Sequence, residues 1–313
     1  MQCKEECKMK KLGLAALLAL LVCLTLAWAA AEGVTVTDMK GREVTLEEPA
    51  TRVVALTPAD CEILAALGCS DCLVGRGEYC DWPAEVLSVP AVQSGAGTNL
   101  EEIVALNPQV LLMATMAQTE EQVQALEDAG IRVVVSDAQD IEGVYTAIRL
   151  IGALMGKETE AEALVAQMQA TFEDVAARKE DTGKTVYFEV SPLQWGLWTT
   201  GKHTFMDELA GMCGLTNAFG DLEGWQAVSE EQVLERDPDY IVTITMYGEG
   251  SPTSVEEIMS RPGWENLKAV KNGNVLYVDQ NEISRPGPRL QNAVKVLLQF
   301  VQEHQSPAEE PAA

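Results

Sequence analysis

The sequence predicts an α/β protein of two Rossmann-like lobes, each a mainly parallel sheet flanked by helices, joined by a single long interdomain helix. Three observations carry this. Short apolar strands alternate with helices in both halves of the chain, the pattern of parallel sheets covered on their faces. One unbroken helical stretch, 158–179, separates the two series; Ala161, Leu164, Val165, Met168, Phe172 and Val175 recur along it with 3.6-residue periodicity. A short helix-to-strand unit also occurs twice. Asn99-Leu100-Glu101-Glu102-Ile103-Val104-Ala105-Leu106-Asn107-Pro108 and Ser229-Glu230-Glu231-Gln232-Val233-Leu234-Glu235-Arg236-Asp237-Pro238 superpose without a gap at an offset of 130 residues.

Taken in order, the chain opens on an apolar run, Leu12–Ala31, behind Lys8, Lys10 and Lys11, with small residues around Ala27-Trp28-Ala29. A positive start, an apolar middle and an A-x-A end predict a signal peptide over 1–29 and an exported protein, in the periplasm or on the outer face of the membrane. Met9 makes a more ordinary start than Met1. Leu20-Leu21-Val22-Cys23 resembles a lipoprotein cleavage box with a bulky Val22, so a lipid or uncleaved anchor is the second expectation.

The N-terminal lobe is expected over 30–140. Val34–Asp38 and Arg42–Leu46 alternate about Met39-Lys40-Gly41 as a β-hairpin, and Arg52–Leu56 reads as a strand ending at Thr57-Pro58. A helix over 59–67 stops at Gly68. After a loop-rich stretch come the first Glu helix, strand 110–113, helix 119–129 and strand 131–135. Helices fill 141–180. The C-terminal lobe, 181–304, restarts with strand 186–190, a helix over 204–213, the second Glu helix and its strand, helix 255–259, strand 275–278 and a last helix from Pro288 to about Gln302. Residues 305–313 form a Pro/Glu/Ala tail, expected to be disordered.

Charge narrows the partners. The formal net charge is −26, and removing residues 1–29, with four Lys and two Glu, makes it −28. Such acidity argues against nucleic acid and anionic lipid, and suits docking onto a basic protein surface. Glu101 and Glu231 stand one place before the residues that complete the two helix caps, in position to point outward. The helix dipole alone would also favour acids there.

Signals for catalysis are scarce. The chain has neither a G-x-S-x-G elbow nor a P-loop, and His203 is the only histidine inside a lobe, with no nucleophile placed beside it. No enzyme is expected, the remote rival being a secreted one that uses His203 and cleft carboxylates. Bare zinc or manganese would want more histidines. Cys69-Ser70-Asp71-Cys72 is a lone C-x-x-C; together with Cys61 and Cys80 it supplies four cysteines able to form disulfides outside the cell, of unreadable connectivity, while Cys213 is left over.

Open α/β sheets bind ligands beyond the carboxyl ends of their strands, so two lobes make a cleft. The loops expected there hold Tyr79, Trp82, Trp195, Trp198, Trp225 and Tyr247, with Lys202 in Thr200-Gly201-Lys202. Aromatics on such loops predict a broad apolar pocket for a large flat or bulky ligand. Trp264, in Arg261-Pro262-Gly263-Trp264, reads as a structural plug.

As an ordered set, Thr37-Asp38 with Gly41-Arg42-Glu43-Val44-Thr45, Arg52–Leu56, Glu62–Gly68, the two Glu helices, Thr200-Gly201-Lys202 and Arg285-Pro286-Gly287-Pro288-Arg289 resemble the iron-complex and cobalamin family of substrate-binding proteins of ABC importers. The resemblance covers about 34–301. It implies two lobes bridged by a long helix, a monomer, no resident cofactor, and one surface glutamate per lobe, here Glu101 and Glu231, pairing with permease arginines. Tyr79 and Trp225 resemble aromatics of a corrinoid cleft, while another tryptophan of that cleft is replaced by Ala114. Cys213 matches a disulfide cysteine of the cobalamin binders whose partner the last helix lacks. The implied cargo is a cobalt corrinoid. Alternatives are haem, with Tyr79 or His203 as axial ligand, and a ferric siderophore met by Arg76, Lys202 or Arg285.

Overall fold

The computed structural model describes residues 33–115, 119–244 and 253–304. Strands β1 (Val34–Thr37) and β2 (Glu43–Leu46) pair antiparallel, Val34 opposite Leu46. Their turn is held by the Asp38 carboxylate, which accepts the N–H groups of Lys40 and Arg42 at 2.9 Å each, while Gly41 takes a φ of +77°.

Five parallel strands follow in the first lobe: β3 (Val53–Ala55), β4 (Leu73–Gly77), β5 (Ala91–Val92), β6 (Val110–Met113) and β7 (Arg132–Val135), in the spatial order β5-β4-β3-β6-β7. Every residue of β3 and β6 is buried, as expected for strands covered on both faces. Helix α1 (Pro58–Ala66) begins at Thr57, whose hydroxyl accepts the Asp60 N–H at 3.2 Å; Pro58 suits the first turn and Gly68 follows the last. Helices α2 (Leu100–Ala105) and α3 (Glu120–Asp128) complete the crossovers.

Two helices lead to the second lobe: α4 (Ile141–Leu154) and α5 (Glu158–Arg178). At 21 residues α5 is about 31 Å long. It buries Ala161, Val165, Met168, Phe172 and Val175, the stripe its periodicity marks. Gly152 lets the two helices meet: a Cβ there would lie 2.5 Å from the Ala161 methyl.

The second lobe holds a four-stranded parallel sheet. Strands β8 (Thr185–Glu189), β10 (Thr216–Asn217), β12 (Tyr240–Thr243) and β13 (Val275–Tyr277) lie in the order β10-β8-β12-β13. Strands β9 (Trp198–Thr200) and β11 (Trp225–Ala227) form a separate antiparallel ribbon. Helices α6 (Phe205–Met212), α7 (Glu230–Arg236), α8 (Ser254–Met259), α9 (Lys268–Lys271), α10 (Gln280–Ile283) and α11 (Leu290–Glu303) surround them. Trp264 is fully buried; its Nε1 donates to Glu230 at 3.0 Å and the Arg261 guanidinium lies 4.1 Å over its ring. Arg261 in turn meets buried Glu189 at 2.8 Å. Burial pushes the Glu189 carboxyl up despite that arginine.

Candidate functional site

Strand order fixes where each lobe offers a crevice. In the first sheet the chain moves outward in opposite directions from β3 and β6, so their carboxyl ends, continuing into Thr57-Pro58 and Ala114, flank a topological switch point. In the second, β8 and β12 play the same part. The lobes also meet where the chain beyond β7 and the start of α4 touch α6. The Phe205 N–H donates to the Gln139 carbonyl at 2.9 Å, and the Glu208 carboxylate accepts the Ile141 N–H at 2.7 Å.

Between the lobes lies a cavity of about 700 Å³. The first lobe supplies Thr57–Ala59, Glu78, Tyr79, Asp81, Ala114 and Ser136–Gln139; the second supplies Phe205, Trp225, Gln280, Asn281 and Ser284–Pro286. Tyr79 stands on the rim, 70% exposed, while Trp225 packs against Phe205 with ring centroids 5.7 Å apart. Beneath the first-lobe wall, burial pushes the Asp60 carboxyl up to about 6; Asp137 adds to the shift and the Thr57 and Ser136 hydroxyls oppose it.

Arg285 is the only cation among the described residues of that lining, and it is already engaged. Its Nη1 meets Glu62 at 3.0 Å and Asp81 at 2.6 Å, and its Nη2 donates to the Tyr79 carbonyl at 3.3 Å. Arg289, four residues on at the N-cap of α11, adds a two-pronged contact to Glu62. Burial works against the Asp81 carboxylate, but Arg285 outweighs it and holds its carboxyl below the usual range. Glu62 and Asp81 balance Arg285 and Arg289, which leaves Glu78 and Asp137 as the net charge of the described lining.

Of the residues singled out from the sequence, Tyr79, Trp225 and Arg285 come together on this cavity. Trp82, Trp195, Trp198 and Lys202 stand outside its lining. Trp82 lies 5.0 Å below the Arg289 guanidinium, and Lys202 is paired with Glu223 at 3.0 Å. Trp195 and Trp198 are 74% and 44% exposed. Tyr247 lies outside the described residues, as do the signal region and the tail. Arg76 faces inward, donating to the Gly77, Glu78 and Cys80 carbonyls, so it shapes the loop that carries Tyr79. His203 is exposed, 3.7 Å from Glu223. Glu62, Asp137, Phe205 and Arg289 went unread as site residues; Asp137 and Gln139 follow β7 directly, so their place beyond a strand's carboxyl end was the available signal.

Glu101 and Glu231 are exposed in the first turns of α2 and α7. Each helix returns the chain to a parallel strand and so runs against it, which puts both N-termini at the carboxyl ends of their sheets, on the cleft side. The caps differ. Ser229 and Gln232 make the reciprocal box, whereas at Asn99 only the side-chain contact to the Glu102 N–H, 3.3 Å, is made among the described residues. Glu231 is also not independent of its cap: the Ser229 hydroxyl hydrogen-bonds to it and, with the Glu231 N–H, lowers its carboxyl pKa.

Residues 53–282 match the family model described as periplasmic binding protein. An ABC transporter substrate-binding lipoprotein of Bacillus subtilis, YvrC, is 33% identical over 275 residues, covering 86% of this chain and 85% of the relative. A vitamin B12-binding protein of Salmonella paratyphi A is 32% identical over 255 residues, covering 79% and 89%. Among solved structures, a possible iron-binding, periplasmic solute-binding protein of Staphylococcus epidermidis is 30% identical with a TM-score of 0.68, covering 81% of this chain and 99% of that one. Two lobes with switch points facing one cavity, a helical bridge and these matches agree: the chain belongs to the periplasmic binding protein family, the solute-binding components of ABC transporters.

Proposed function

We propose that this protein captures a corrinoid between its lobes and delivers it to an ABC permease that reads Glu101 and Glu231. The charge of the cavity carries the choice of ligand. Glu78 and Asp137 give it its net charge, since Glu62 and Asp81 balance Arg285 and Arg289. A cobalt(III) corrin is a flat cationic ring bordered by neutral amides. Haem brings carboxylates and a ferric catecholate is strongly anionic; both would meet like charge here with no unengaged cation among the described lining residues. Tyr79 and Trp225, on opposite lobes, offer aromatic faces to such a ring, and the lining carboxylates and the Asn281 and Gln280 amides suit its amide arms.

Titrating the purified protein with cobalamin, cobinamide, haem and a panel of ferric siderophores tests this. Tight binding of the corrinoids supports it; haem or an anionic siderophore binding more tightly than either corrinoid overturns it. A neutral or cationic ferric hydroxamate is the reading that the same acidity leaves open, and the panel includes it. Permease docking is read separately, by transport in cells.

A further inference from the structure

Two thiols lie behind the aromatic rim. Cys61 is in the first turns of α1 and Cys80 follows β4; they are 1% and 0% exposed, and both Sγ atoms are 3.8 Å from one acceptor, the Ala55 carbonyl. The two side chains are hydrogen-bonded to each other, which with burial pushes the Cys61 thiol up. Cys69 and Cys72 are engaged with one another instead, their side chains in hydrogen-bond contact and the Cys72 N–H donating to the Cys69 carbonyl at 3.0 Å. Cys213 is remote, its Sγ 3.6 Å from the Val294 carbonyl on α11. Four cysteines allow three pairings, and this arrangement favours one of them.

We propose that Cys61 and Cys80 are joined as a cystine in the exported protein, and that this bond is the staple holding the two arms of the interlobe contact. The neighbours of the pair give it that role. Glu62 follows Cys61 and Asp81 follows Cys80, and these two carboxylates share Arg285 Nη1 at 3.0 and 2.6 Å. Tyr79, on the cavity rim, precedes Cys80. A covalent tie between residues 61 and 80 therefore sets the spacing of both acids that receive the arginine of the other lobe, and anchors the tyrosine beside them.

All five described cysteines are thiols in this structure, so closure needs an oxidant. A small-molecule disulfide such as oxidised glutathione serves. One cysteine thiolate attacks it to give a mixed disulfide and releases one glutathione thiol. The second thiolate then attacks the protein sulfur of that mixed disulfide and releases the other. Two cysteine thiols lose their protons and become one cystine, and the oxidant is reduced to two thiols. Exchange takes place while the chain folds and both sulfurs are reachable; burial afterwards shields the bond from reductants.

The experiment folds the full chain in a glutathione redox buffer, quenches with acid, alkylates under denaturing conditions without reductant and maps the digest by mass spectrometry. The expected result is a peptide joining Cys61 to Cys80, lighter by two hydrogens, that disappears on reduction. Alkylation of both residues in the unreduced sample overturns the proposal, as does a bridge from either one to Cys69 or Cys72. The Cys61→Ser variant, mapped alongside, should leave Cys80 alkylated; a new bridge from Cys80 to Cys69 or Cys72 would overturn the pairing. The staple role has its own readout. Reductant strong enough to open the bond should lower the melting midpoint by several degrees, and an unchanged midpoint once mapping shows the bond open removes that role.

Discussion

Glu62 receives Arg289 in two contacts, Nε to Oε2 at 2.9 Å and Nη2 to Oε1 at 2.6 Å, so a carboxylate of the first lobe is gripped by the last helix of the second. The Glu62 side chain is 2% exposed and also receives Arg285. Removing it leaves Arg289 without its acid and Arg285 with Asp81 alone, in a largely desolvated joint. Glu62→Ala should destabilise the protein by about 3 kcal/mol, in the range for one lost partner of a buried ion pair. Denaturant unfolding measures this, and a loss below 1 kcal/mol would mean that solvent already reaches the joint.

Tyr79 and Trp225 line the cavity whereas Trp195 does not, which separates their expected effects. Tyr79→Ala and Trp225→Ala should each weaken ligand binding by about 1–2 kcal/mol, roughly 5- to 30-fold. Trp195→Ala should leave affinity within error. Calorimetric titration with the corrinoid decides, and an equal loss for all three would place the ligand elsewhere.

Glu101→Lys and Glu231→Lys change exposed residues in the first turns of short helices. Each should shift stability by only about 0.5 kcal/mol and leave ligand affinity unchanged. Together they should abolish uptake in cells that depend on this importer. Normal uptake by the double variant would end the docking reading.

Asp60 gives a pH signature of definite sign. Its folded pKa of about 6 lies above the value near 3.9 of an unfolded aspartate. The native state therefore holds the proton more tightly, and stability falls as pH rises from about 4 to 6, by about 3 kcal/mol in all from this group. Asp60→Asn should remove that slope, so the variant gains on the parent between pH 4 and pH 7. Parallel stability curves for the two proteins across that range would contradict it.

Strands with unbroken apolar runs, and helices with an N-cap and a stop, were legible in the sequence to within a residue or two. Strand β4 was not. Leu73-Val74-Gly75-Arg76-Gly77 reads as loop because glycine weakens strands, yet close backbone packing demands Gly77, and side chains crowd Gly75. A Cβ on Gly77 would lie 2.3 Å from the Leu56 carbonyl oxygen, and one on Gly75 would lie 2.6 Å from Leu106 Cδ1. The ribbon of β9 and β11 was also missed, being three residues a side and paired across an intervening helix. At the site, aromatic residues on loops pointed to Tyr79 and Trp225 but equally to Trp195, since residue type does not reveal which side of a loop faces the cleft. In the sequence Arg285 reads as a cation available to an anionic ligand. Its partner Glu62 is 223 positions away, a pairing that no local pattern encodes.

That separation bears on the order in which the molecule is completed. Each parallel sheet is built from a contiguous stretch, β3 to β7 before the helical bridge and β8 to β13 after it. A chain emerging from its amino end can close the first sheet, with mostly local contacts, long before the second exists. Glu62 must then wait for Arg285 and Arg289, 223 and 227 residues downstream. The interlobe cavity is thus the last part of the protein to be assembled, and truncation between the helical bridge and the final helix would leave a first lobe with nothing to close against it.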